Sequence, residues 1–94
     1  MNIDEWTAEQ CGVKIEPSII LGEWQRIDDW TPWTIQDPRC REIVREHFKI
    51  CTDFSIDGWF SGRAGTTEQY AGKTIAEAEI ACIKAIYKTC QGDL

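Results

Sequence analysis

The sequence predicts an α+β fold: a small antiparallel sheet, formed by a hairpin over 49–63 and a candidate third strand at about 65–71, packed with three helices at about 3–11, 38–48 and 74–90. Three observations carry this reading. Helix-capping residues precede three segments, residues from Ile50 to Ile56 alternate with period two, and an Asp57-Gly58 pair follows that alternation.

Asn2 and Glu5 have the spacing of a capping box, and Gly12 is placed to end the helix they open. The next stretch, "VKIEPSIILGEWQRIDDWTPWTIQ", has no sustained period and is punctuated by Pro17, Gly22 and Pro32. It reads as an irregular segment with one short strand. Asp37 then offers an N-cap with Pro38 at the first helical position, followed by an apolar face of Cys40, Ile43, Val44, His47 and Phe48. A two-residue turn at Asp57-Gly58 would set Ile56 opposite Trp59, Phe54 opposite Ser61 and Thr52 opposite Arg63. Thr74 and Glu77 repeat the capping-box spacing before the last helix.

With 94 residues the chain is a single domain, 1–94, and a small one. Its five tryptophans supply aromatic area with which such a chain can build a core. Acids stand where a signal peptide carries bases, and no run approaches the length of a membrane span, so the expected location is the cytoplasm. Five cysteines, an odd number, suit buried free thiols better than a disulfide framework.

The charge of −6 is unevenly spread. Residues 1–37 hold eight acids against Lys14 and Arg26, whereas the remainder balances eight against eight. Direct nucleic-acid binding through a basic footprint is therefore not expected, and an acidic lobe would suit a partner with a basic surface. Trp24, Trp30 and Trp33 lie in this acidic stretch with Glu23, Asp28 and Asp29. They either plug the core or anchor a partner-binding surface. Arg41, Arg45 and Lys49 form a helical stripe that, with Arg63, is the candidate anion-binding set. The alternative is a solvated helix face.

No catalytic constellation stands out. His47 is the single histidine and falls on the apolar face of the second helix, where a buried, hydrogen-bonded core or boundary imidazole is the expectation and a catalytic one the alternative. No C-x-x-C or C-x-x-H pair occurs, so neither a metal nor another cofactor is expected. "SGRAGTT" lacks the P-loop lysine. Glu79 faces Ile75, Cys82, Ile83 and Ile86, away from the charged stripe of Glu77, Lys84 and Lys88. It needs a partner or an edge position, and Arg63 is the candidate partner.

The order of "WTIQDPRCREIVREHF", an aromatic hairpin and "TIAEAEIACIKAIY" resembles the small phage and prophage proteins described as the phage α/β/α sandwich domain. Thr74, Glu77, Ala78 and the Ile43-Val44 pair carry the resemblance. It implies a phage origin, a bacterial host cytoplasm and helices on both faces of the sheet, and it transfers no catalytic residue. The leading expectation is a non-enzymatic accessory protein that binds a host macromolecule, in the role of an inhibitor of a host defence system, anti-CRISPR-like or otherwise anti-defence. A nucleotide-binding or sequestering protein is the alternative, and self-association is compatible with either.

Overall fold

The computed structural model describes residues 2–20 and 22–92. The first helix, α1 (Ile3–Cys11), opens where the Glu5 N–H donates to the Asn2 side-chain oxygen at 2.9 Å. Gly12 closes it at φ 69°, a left-handed conformation that costs glycine little. After α1 come two three-residue strands, β1 (Ile15–Pro17) and β2 (Trp24–Arg26), paired antiparallel. The expectation of one short strand is thus corrected to a small second sheet. Gly22, at φ 67°, allows the intervening tip to turn.

Helix α2 (Pro38–Phe48) starts as its caps require: the Arg39 N–H donates to the Asp37 carboxylate at 2.8 Å. Lys49 ends it in a left-handed conformation, φ 57°. Strands β3 (Ile50–Ser55), β4 (Gly58–Arg63) and β5 (Tyr70–Gly72) form an antiparallel sheet in that order. Helix α3 (Ile75–Gly92) begins where the Glu77 N–H donates to the Thr74 hydroxyl at 3.1 Å.

The hairpin register differs from expectation by two positions. Phe54 faces Trp59, Thr52 faces Ser61 and Ile50 faces Arg63, with Ile56 and Asp57 as the turn. Gly58 alone here has positive φ, 128°, and the Gly72 carbonyl lies 3.0 Å from where a Cβ on Gly58 would stand. Glycine is therefore spent on the first residue of β4 and not on the turn itself. A shift of two preserves which residues share a face. Only the last part of the candidate strand at 65–71 joins the sheet, as β5.

Helix α3 covers the face bearing Thr52, Trp59, Ser61 and Tyr70, burying Ala78, Cys82, Ile83 and Ile86. Trp6 and Ala8 of α1, Trp33 and Ile35, Cys40 and Val44 of α2, and Ile50 form one cluster with Cys82, Ile83 and Ile86. Each large apolar side chain so buried contributes about 1.5–3 kcal/mol. Trp6 stacks on Phe48 with ring centroids 5.6 Å apart and meets Tyr87 edge-on at 5.3 Å.

The opposite sheet face carries exposed Cys51, Asp53 and Ala71. No described helix lies over it, so the expected layer on both faces is absent among the described residues. The loop after β4 bends back instead, its Glu68 carbonyl 2.6 Å from where a Cβ on Gly62 would be.

The cysteines divide where a uniform core role was expected. Cys40 and Cys82 are buried, Cys11 is half-buried, and Cys51 and Cys90 are exposed. Burial pushes the Cys40 thiol up to about 12 and those of Cys11 and Cys82 up to about 11. An aromatic disulfide reagent at neutral pH should modify Cys51 and Cys90 in the folded protein and the other three only on unfolding. Rapid labelling of Cys40 in the folded protein would contradict the packing.

Candidate functional site

The acidic, tryptophan-rich segment folds as a lobe around β2. Beyond β2 the chain makes a tight turn from Ile27 to Trp30: the Trp30 N–H donates to the Arg26 carbonyl at 3.1 Å, and the Arg26 N–H to the Thr31 carbonyl at 2.8 Å. Thr31 also donates to the Asp29 carboxylate, through its N–H at 3.1 Å and its hydroxyl at 2.6 Å. The hydroxyl bond is the main cause that holds the Asp29 carboxyl below the usual range, and Arg26 adds a smaller charge effect. Arg26 also reaches Asp28 at 3.2 Å.

The three tryptophans, grouped together in the sequence reading, separate. Trp33 is 1% exposed and belongs to the core, which corrects its assignment to a partner surface. Its indole N–H donates to the Asp4 carbonyl at 2.9 Å, so the whole ring is buried without an unpaired donor. Trp24 is half-buried against the same core. Trp30 is 66% exposed and held at φ 64°, a conformation rare for a bulky residue. Ile27, exposed beside it, was missed in the sequence reading. Its one signal was an apolar residue flanked by Arg26, Asp28 and Asp29.

Glu23 is exposed and, among the described residues, makes no ion pair. Asp28, Asp29 and Trp30 thus stay together at one end of the lobe, while Glu23 sits at the start of β2, nearer its other end.

The candidate anion-binding set does not form. Arg41 is buried, donating from Nε to Glu79 at 3.2 Å and from Nη1 to the carbonyls of Ile35 and Gln36 at 3.0 and 2.9 Å. Arg45 donates to the other Glu79 oxygen at 2.7 Å. The Thr52 hydroxyl reaches that oxygen at 3.3 Å and pairs with the Ser61 hydroxyl at 2.6 Å. Glu79 therefore has its partners on α2, and the expectation of Arg63 is corrected. Arg63 lies over the Phe48 ring, 5.5 Å from its centroid. Lys49 is exposed at the left-handed end of α2. A stripe read as one charged face is divided because Arg41 adjoins Cys40 and Val44, the side of α2 that meets α3.

His47 is exposed, its ring edge-on to Phe48 at 4.8 Å, and not buried as expected. Among the described residues no three His, Cys, Asp or Glu side chains stand together to hold a metal ion. No described helix is long and apolar enough to cross a membrane. No family model matches the chain, and no curated protein or solved structure resembles it significantly.

Arg39 returns to Asp37 at 3.0 Å. This bond is the main cause that lowers the Asp37 carboxyl. A carboxyl lowered on folding adds stability that is present above its unfolded pKa and lost as pH falls through its folded pKa. Asp37→Asn should therefore be less stable than the parent at neutral pH, by up to about 1 kcal/mol. In urea unfolding measured against pH, that gap should close in acid below the ordinary carboxylate range. A gap that widens in acid would contradict the assignment.

Proposed function

We propose that this chain is a non-enzymatic binding protein, a phage or prophage accessory factor that engages a basic surface of a host macromolecule and thereby inhibits a defence system. The observation that carries the reading is Trp30, exposed at positive φ on a turn with Ile27, Asp28 and Asp29. Exposed tryptophan is enriched among interface anchors, and strained backbone tends to persist where it is used. The acids favour a cationic partner and steer its approach.

Binding is preferred to catalysis because the candidate acid–base groups are engaged otherwise. Glu79 is held by two arginines, and His47 packs on Phe48. A nucleotide site loses support for a related reason. Arg41 is committed to Glu79 and two carbonyls, and Trp33 is in the core. The phage origin rests on the motif resemblance alone.

Capture from a bacterial lysate by the parent, Trp30→Gly and Asp28→Lys tests the reading. The expected result is one basic partner retained by the parent and reduced about tenfold or more by either variant, as hot-spot losses are. Trp30→Gly relieves the left-handed strain, so its stability should stay within about 1 kcal/mol of the parent. A partner retained equally by all three proteins would overturn the assignment.

A further inference from the structure

The strongest exposed apolar feature lies at the other end of the lobe from Trp30. Between β1 and β2 the Ser18 N–H donates to the Glu23 carbonyl at 2.7 Å and the Gly22 N–H to the Ser18 carbonyl at 3.0 Å. Ile19 and Ile20 project from this tip at 101% and 95% exposure. Two adjacent β-branched side chains wholly in water, a few residues before the exposed Glu23, have no role in this chain's own core.

A complementary feature lies nearby. A groove of about 630 Å³ runs between the start of α1 and the outer stripe of α3, lined by Ile3, Ala81, Ala85 and the lysines Lys84 and Lys88. Ala81 and Ala85, one turn apart, leave room above the helix, and the exposed lysines enter no ion pair among the described residues. Apolar lining with a few charges at the side is the composition of a recognition groove.

Trp33 links the root of the tip to the edge of the groove. The Trp24 carbonyl, next to Glu23, accepts from the Trp33 N–H at 2.8 Å, and the Trp33 indole donates to the Asp4 carbonyl, adjacent to Ile3. An apolar knob and an apolar hole on one surface can form a self-complementary patch, the arrangement a two-fold dimer needs. We propose that this chain pairs with a second copy of itself, the Ile19–Ile20 tip of each protomer seated in the α1–α3 groove of the other and Glu23 meeting Lys84 and Lys88. The occupant is set by charge as well as shape: an apolar tip bearing an acid answers an apolar groove bearing two cations. The pairing is independent of the reading of Trp30, which lies at the opposite end of β2 and stays accessible in the dimer.

Sedimentation equilibrium of the intact chain, from micromolar to millimolar, tests the pairing. The expected mass at high concentration is twice the 10.8 kDa of one chain. Ile19→Ser with Ile20→Ser, and separately Lys84→Glu with Lys88→Glu, should each weaken self-association about tenfold or more. Mixing the two variants should restore part of it, since one tip and one groove remain intact between them. All four positions are exposed, so circular dichroism should show the parent fold in both variants, and Trp30→Gly should dimerise as the parent does. A parent that stays monomeric throughout, or a dimer indifferent to both double substitutions, would overturn the proposal.

Discussion

The carboxylate of Glu79 is the constraint to which the rest of the structure answers. Its side chain is 4% exposed, and a charge so placed is costly unless paired and hydrogen-bonded. Two arginines of α2 and a threonine of β3 supply what it needs, which ties α3 to α2 and to the central hairpin. Arg41 extends the connection by holding the carbonyls of Ile35 and Gln36. The Ile35 N–H donates in turn to the Asp4 carboxylate at 3.0 Å, bringing α1 into the same line of contacts. The hydrophobic cluster holds the helices together, and this polar line adds directional contacts between them.

That line also fixes the base of the acidic lobe. Trp33 and Ile35 are buried where the lobe returns to the body, and Trp33 joins the backbone of Trp24. The turn carrying Trp30 is thus presented from a rigid root, which lowers the entropy lost when a surface binds. Composition overstates how much acid is available there. Asp4 serves the Ile35 backbone and Asp37 serves α2, while Asp28 and Asp29 share Arg26. The residual charge steers more than it grips.

The helices were legible because their starts are local chemistry: Asn2, Asp37 and Thr74 each accept the backbone bond that their spacing implied. The faces of the hairpin were legible from alternation, although its register was not, because Gly58 is required by the approach of Gly72 and that contact is far away in the chain. Strands β1 and β2 were hidden by their length, three residues each, too short for any period to show. Glu79 was recognisable as misplaced on its own helix. Its partners were not, because arginines at helical spacing are normally solvated and only the packing of α2 on α3 turns Arg41 inward. Trp33 and Trp30 look alike in sequence, and what divides them is a carbonyl of α1 within reach of one indole N–H.

A double-mutant cycle on Arg41 and Glu79, read by urea unfolding, tests the central claim most directly. Removing one partner of a buried pair typically costs about 3–5 kcal/mol, whereas replacing both with apolar residues costs far less than the sum. Arg41→Met and Glu79→Leu should each fall in that range alone and should largely compensate when combined. Single losses below about 1 kcal/mol that simply add would contradict the account, since the two side chains would then be independent.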